Sequence, residues 1–192
     1  MAVYQAEMKH DASTITRLMI ARYNTFQFGK KLVRYGIAIV LVLYGLYADT
    51  SMLTPMICLF IGCVMIANVN IGPRMLAKQI IKQMDGQFPH SRYAFNVSEF
   101  KFHEEAEAVP YHKLIRLVEE RQYFYLYVSE DSGYMVDKST VTGGDIQGFK
   151  QFLAEKTGLK WQRSNSLLTF NLRSLFSSEK KKNKAVNDLL KR

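Results

Sequence analysis

The residues of this chain that are suited to acid–base or metal chemistry form no familiar motif. The four histidines are His10, His90, His103 and His112. His103 directly precedes Glu104 and Glu105, and strands predicted below can bring this group toward His112. Two histidines and two carboxylates can bind a metal ion or transfer a proton. The alternative is a set of solvated residues at strand ends, which the sequence favours because it has no nucleophile elbow, P-loop or zinc-ligand spacing.

A second group of charged residues lies near a predicted strand turn. Glu119 and Glu120 are close in sequence to Arg116 and Arg121, so we expect a surface ion-pair cluster rather than a pair of catalytic carboxylates. The Thr-Gly-Gly-Asp segment at 142–145 is compatible with an anion cradle, but a turn followed by a helix cap explains it more simply. We therefore predict no catalytic residue, no metal, no cofactor and no enzymatic activity.

Aromatic residues crowd the strand pattern YFYLYV at 123–128. Such a strip can stack nucleic-acid bases, and the formal charge of +9 raises that alternative. However, residues 83–159 carry eight Lys or Arg against twelve Asp or Glu, a net charge of −4 that repels phosphates. We expect the aromatic residues to form a core and expect no nucleic-acid partner.

The excess positive charge lies instead near the C-terminus and beside an apolar region. An apolar patch at 167–176 precedes four lysines, and these are the candidate lipid-contacting residues. They are Lys180, Lys181, Lys182 and Lys184. Basic residues near an anionic leaflet gain about 1 kcal/mol each, so the tail is predicted either to lie on the membrane as an interfacial helix or to be a solvated, disordered terminus.

Two uncharged runs form the apolar region, and they are interrupted only by Asp49. The first, 35–48, is 14 residues or about 21 Å of helix, and it needs Leu32, Val33 and a snorkelling Arg34 to approach a hydrocarbon core of about 30 Å. The second, 50–73, has the length of a transmembrane helix. Together the runs predict a helical hairpin, in which Gly45, Cys58 and Gly62 let the helices approach closely.

Positive charges flank the predicted hairpin on both sides, and its loop has none. The flanking bases are Arg17, Arg22, Lys30, Lys31, Arg34, Arg74, Lys78 and Lys82. Because cytoplasmic flanks are enriched in Lys and Arg, we expect a multi-pass protein of the inner (cell) membrane with both termini in the cytoplasm.

After residue 92 the apolar period changes to two, which is typical of strands. A turn near Asn96 to Glu99 predicts a hairpin, and further strands follow at 106–109, 114–118, 123–128 and 134–136. Asp145 is a predicted helix cap and Gly158 a predicted helix end. We expect a small antiparallel sheet closed by a C-terminal helix. The predicted core includes Phe95, Phe102, Leu117, Leu126, Phe149 and Phe152.

The chain is thus predicted to have five segments. These are an N-terminal strand and amphipathic helix at 1–31, a transmembrane hairpin at 32–73 with spans at 32–48 and 52–72, a juxtamembrane helical connector at 74–91, a β-rich domain at 92–160 and a basic amphipathic tail at 161–192. The predicted fold class is an α+β membrane protein.

The hairpin YAFNVSEFKF at 93–102 and the stretch from Pro110 to Gly158, which includes LIRLVEERQYFYLYVSEDSGYMVDK, resemble the YcxB-like family. Its members commonly have Trp where Tyr111 stands and Pro-Lys where Asp137 and Lys138 stand. The resemblance implies two adjacent membrane spans followed by a β-rich domain similar to pleckstrin-homology domains. It implies no particular activity.

These observations predict a non-enzymatic, membrane-tethered interaction or regulatory module that binds a protein or lipid partner at the cytoplasmic face. One alternative is a small membrane-surface enzyme acting on lipid or peptide, which requires acid, base or His groups converging in a pocket. The other is an accessory or immunity-type subunit that acts through its spans. The bilayer is a partner in all three, and the oligomeric state is left open.

Overall fold

The strand that precedes the apolar region and the strand that follows it belong to one sheet. In the computed structural model, which describes residues 3–48, 51–102 and 108–164, β1 (Tyr4–Lys9) pairs antiparallel with β2 (His90–Phe95). β3 (Glu99–Phe102) and β4 (Ala108–Pro110) extend the sheet in the order β1-β2-β3-β4. The sequence placed β1 in a separate segment, because strand pairing across so long an insertion leaves no local pattern.

The second sheet is built from the strands that follow. β5 (Arg116–Glu119), β6 (Tyr123–Tyr127) and β7 (Gly133–Asp137) form an antiparallel meander. β8 (Trp161–Arg163) then pairs in parallel with β5, which gives the order β7-β6-β5-β8. The prediction that the C-terminal tail begins at residue 161 is therefore wrong for these three residues.

Five helices complete the described fold. They are α1 (Ala12–Phe26), α2 (Phe28–Tyr47), α3 (Leu53–Ala67), α4 (Ile71–Gln83) and α5 (Ile146–Thr157). The Asp145 side chain accepts a hydrogen bond from the Gly148 backbone N–H, and Gly158 ends α5 with a positive φ of 67°. Both predicted ends of α5 are confirmed, because cap and left-handed residues act locally.

The predicted second span at 52–72 is not a single helix. α3 ends at Ala67 and α4 begins at Ile71, with a bend of 48° between them. Consequently the predicted connector at 74–91 starts inside α4, and strand β2 already begins at His90. Among the described helices, none alone is both long and apolar enough to cross a membrane, and α3 with α4 meets those criteria of length and composition only as a bent pair.

The main core lies between the two sheets, α5 and α1. Four of the six predicted core residues, Phe95, Leu117, Leu126 and Phe149, are fully buried, whereas Phe102 and Phe152 are half-buried at its margin. The edge of the Phe26 ring in α1 meets the Tyr127 ring of β6 at a centroid distance of 5.0 Å. Because helices cover β6 as well as the facing sheet, Phe124 to Tyr127 are all at most 1% exposed.

Candidate functional site

The surface of the α2–α3 hairpin is apolar on nearly every side. The exposed fraction is 61% for Leu46 in α2 and 70% for Phe60 in α3, and most of the other large apolar residues of both helices are also exposed. Soluble proteins rarely expose a continuous apolar patch of this kind, and a helix that is apolar all round normally faces protein or lipid.

The two hairpin helices approach each other closely at two glycines. A Cβ atom at Gly62 would lie 2.7 Å from Cγ2 of Val42 and 2.9 Å from the Ala38 carbonyl oxygen. A Cβ atom at Gly45 would lie 2.7 Å from the Pro55 carbonyl oxygen. The predicted close approach at Gly45 and Gly62 is therefore confirmed, and the helices bury only this narrow seam.

The foot of the hairpin is the end where α2 begins and α3 ends. Two basic side chains there form hydrogen bonds within the protein. Lys31 is 6% exposed, and its Nζ donates a hydrogen bond to Oδ1 of Asn24 at 2.9 Å. The Arg34 guanidinium reaches the Val69 carbonyl oxygen, at 3.5 Å, in the bend between α3 and α4. These contacts tie the start of α2 to α1 and to the bend.

A cavity of about 200 Å³, called the foot cavity below, opens at the same level. It lies between the end of α1, at Phe26 and Gln27, and the start of α4, at Gly72 and Pro73. Its charged lining residues are Arg22 and Glu130. Arg22 donates a hydrogen bond to the Asp131 carbonyl oxygen at 3.0 Å, and its Nη2 lies 3.5 Å from the Asp131 carboxylate.

The most tightly paired carboxylate in the described residues is Glu119. Its Oε1 accepts from Nζ of Lys138 and its Oε2 from Nζ of Lys150, each at 2.7 Å. Partial burial alone would raise the pKa of Glu119, but hydrogen bonds and charge from the two lysines outweigh it and lower the pKa. The cluster joins β5 to the turn after β7 and to α5.

The predicted ion-pair cluster therefore exists with different partners. Arg116 donates a hydrogen bond to the Thr25 carbonyl oxygen at 2.7 Å and stacks over Phe26 at 4.8 Å. Glu120 accepts a hydrogen bond from the Tyr125 hydroxyl at 3.0 Å. The sequence missed Lys138 and Lys150 because only the tertiary fold brings them to Glu119.

A polar groove surrounds the Glu119 cluster, with Arg121 and Arg163 on its walls. Four bases and two carboxylates line it, and Glu119 already engages two of the bases. This arrangement chemically resembles a structural ion-pair network more than an open anion site.

The group of histidines and carboxylates weighed above as an alternative site, and the lysine tail, lie largely outside the described residues. His103, Glu104 and Glu105 lie there, as do Lys180, Lys181, Lys182 and Lys184. His112 is exposed in a short 3₁₀ turn. Within the described ranges no group of three or more His, Cys, Asp or Glu residues is placed to hold a metal ion.

The Thr-Gly-Gly-Asp segment has a structural partner. Thr142 forms an isolated antiparallel bridge with Gln5 of β1, and Gly143 adopts a φ of 100° where a Cβ atom would strike the Val3 carbonyl oxygen. Asp145 caps α5, as predicted. Glycine at these positions thus allows β1 to pack closely against the segment that follows β7.

The prediction that the aromatic strip at 123–128 forms core is confirmed for Phe124 to Tyr127, whereas Tyr123 and Val128 are half-buried at the margin. Tyr125 and Tyr127 stack at a centroid distance of 6.3 Å, and burial is the main cause that raises the pKa of each hydroxyl. Phe124 packs 4.7 Å from Trp161 of β8. These rings are not available for base stacking.

Residues 103–153 match the model of the YcxB-like protein family. The matched segment runs from before β4 into α5 and contains Glu119, Lys138 and Lys150. The family resemblance is confirmed over these residues, so this part of the chain is similar to YcxB-like proteins. Comparisons with curated proteins and with solved structures gave no match.

Proposed function

We propose that this chain is a non-enzymatic, membrane-anchored interaction module of the YcxB-like type. In this proposal the α2–α3 hairpin lies in the cell membrane, both of its flanks face the cytoplasm, and the β-rich domain presents a surface to a protein or lipid partner. The observation that carries the proposal is the apolar surface around both hairpin helices, exemplified by Leu46 and Phe60. In water this surface would drive aggregation, whereas a lipid environment buries it.

The distribution of charge supports the proposed orientation. Basic residues such as Lys30 and Arg74 lie on both flanks of the hairpin, and the tip has no Lys or Arg. Because bases are retained on the cytoplasmic side, both ends of the hairpin are assigned to the same compartment. Helix lengths of 20 and 15 residues correspond to about 30 and 22 Å, so the shorter helix crosses only if the bilayer thins locally.

The proposed pleckstrin-homology-like architecture has topological support. A four-stranded meander, a three-stranded meander and then a helix follow one another, with the hairpin inserted between β1 and β2. The sheet is linked to the proposed anchor on both sides, because β1 precedes α1 and β2 follows α4.

Cysteine labelling tests the proposal. Cys58 and Cys63 are first replaced by Ala, and Ser51→Cys and Ser164→Cys are introduced singly. In intact cells a membrane-impermeant maleimide is expected to modify Ser51→Cys and to spare Ser164→Cys until the membrane is opened. The reverse pattern would exclude the proposed orientation, and protection of both sites until lysis would indicate a hairpin that enters the membrane without crossing it.

A further inference from the structure

We propose that the foot cavity binds the headgroup of an aminophospholipid, with the phosphate on Arg22 and the ammonium on Glu130. This inference rests on the proposed membrane anchor. It adds a ligand class and two binding residues to that proposal.

The position of the cavity fits a headgroup. Phe26 and Gln27 directly precede α2, and Gly72 and Pro73 lie just beyond the bend that follows α3. The cavity therefore lies where both chain segments leave the apolar hairpin. When that hairpin is in a bilayer, this is the level of the phosphates and amines rather than of the acyl chains.

The lining of the cavity combines charged and apolar residues. Arg22 and Glu130 provide a cationic and an anionic group, whereas Met19, Phe26 and Leu76 provide an apolar wall. Its volume of about 200 Å³ is smaller than that of a typical pocket for a drug-sized ligand. The space suits a headgroup and the adjoining glycerol, and Leu76 in its lining is 37% exposed.

Arg22 can exchange its present partner for a phosphate. One of its contacts is with the Asp131 carboxylate at 3.5 Å, and the Asp131 side chain is 91% exposed. Ion pairs of this kind are screened by water and contribute little. The guanidinium has five N–H donors, so a phosphate can bind to it while the hydrogen bond to the Asp131 carbonyl oxygen is kept.

Glu130 selects among phospholipids. A purely anionic headgroup would bind Arg22 through its phosphate but would leave the Glu130 carboxylate without a cationic partner. A headgroup that carries both a phosphate and a primary ammonium satisfies Arg22 and Glu130 together. The two opposite charges in the cavity lining therefore favour phosphatidylethanolamine over phosphatidylglycerol.

The test uses the full-length protein in detergent, with equal amounts of phosphatidylethanolamine and phosphatidylglycerol added and bound lipid counted by native mass spectrometry. The wild-type protein is expected to retain more phosphatidylethanolamine. Arg22→Gln is expected to lower retention of both lipids by about tenfold, the value of one charge-assisted hydrogen bond. Glu130→Gln is expected to remove the preference while phosphatidylglycerol stays bound.

Arg17→Gln is the matched control, because Arg17 is on the same helix but bonds to Gln122 and stacks on Tyr123 outside the cavity. It should leave both lipids unchanged. Equal losses in Arg17→Gln and Arg22→Gln would overturn the site. If Arg22→Gln does not fold, Glu130→Gln decides, since Glu130 is exposed and an unchanged preference in this variant overturns the proposal.

Two further experiments are needed. One distinguishes a lipid phosphate from a free phosphate, and the other tests the membrane anchor separately from the cavity. Displacement of the lipid by an equal concentration of inorganic phosphate would show an anion site and overturn the lipid assignment. Flotation with phosphatidylcholine vesicles tests the anchor by itself. Wild-type protein that floats but shows no lipid preference would refute the cavity site alone, whereas failure to float would refute the anchor on which the inference rests.

Discussion

Tyr4 of β1 lies opposite Phe95 of β2, although all four helices of the insertion lie between them in the chain. The Tyr4 ring also meets the rings of Phe149 and Phe152 in α5, each at a centroid distance of 5.3 Å. The N-terminal strand is thus part of the core that closes the β-rich domain. Both ends of the proposed anchor are held by adjacent strands of one sheet.

The first prediction concerns removal of β1. Deleting residues 1–10 removes Ala6 and Met8 from the core and leaves β2 as an unpaired edge. We expect the domain to lose at least about 3 kcal/mol of unfolding free energy, comparable with the loss of one large core side chain. The loss is measured by urea unfolding followed through Trp161, the single tryptophan of the chain. An unchanged midpoint would mean that β1 contributes nothing to the stability of the domain.

The second prediction compares two phenylalanines on α5. Phe149 is fully buried against Phe95 and Phe124, so Phe149→Ala should cost about 3–5 kcal/mol. Phe152 is half-buried and touches Tyr4 and Tyr111 at the margin, so Phe152→Ala should cost about 1–2 kcal/mol. Denaturation of the two variants side by side measures the difference. Equal losses would contradict the burial order.

The features that sequence predicted correctly are those set by neighbouring residues. Asp145 and Gly158 mark the ends of α5 because capping and positive φ need only a few adjacent atoms. The turn after Phe95 was predicted because the apolar residues change from odd-numbered positions, such as Phe95, to even-numbered ones, such as Phe100. In contrast, β8 has three residues, and its place is set by pairing with distant β5.

The sequence did contain evidence against a single helix over residues 52–72. Pro73 lies in the first turn of α4, where a missing N–H costs little, so a helix start just upstream was foreseeable. Residues 50–73 are uncharged throughout, so hydropathy alone did not show where α3 ends and α4 begins. No comparable signal exists for Lys138 and Lys150, since their pairing with Glu119 depends on how the second sheet packs against α5.

The third prediction tests the seam of the hairpin. Gly62→Leu places a side chain against Val42 and the Ala38 carbonyl oxygen, so the helices must move apart. We expect a loss of about 1–3 kcal/mol, seen as a lower midpoint of thermal unfolding by circular dichroism in detergent. Gly36→Leu is the control, because a Cβ atom there meets nothing within 4 Å. Equal effects of the two substitutions would show that the seam is not closely packed.

The fourth prediction concerns the pH dependence of the Glu119 cluster. The pKa of Glu119 is lowered in the folded protein from an ordinary value of 4.5, so its ionised form favours folding. This stabilisation is fully present above about pH 4.5, and it is lost as the pH falls through the lower folded pKa. Glu119→Gln should therefore cost about 1–3 kcal/mol at pH 7, because Lys138 and Lys150 lose a shared charged acceptor.

The free-energy difference between wild type and Glu119→Gln should shrink as the pH is lowered from 5 to 3. Urea unfolding at several pH values, again followed by Trp161, measures it, since the Trp161 indole N–H binds the Lys150 carbonyl oxygen beside the cluster. Glu155→Gln is the matched control, because Glu155 is exposed on α5 and bonds only to Gln151 in the described structure. A difference that stays constant from pH 7 to pH 3 would show that the cluster acts through packing and not through the charge of Glu119.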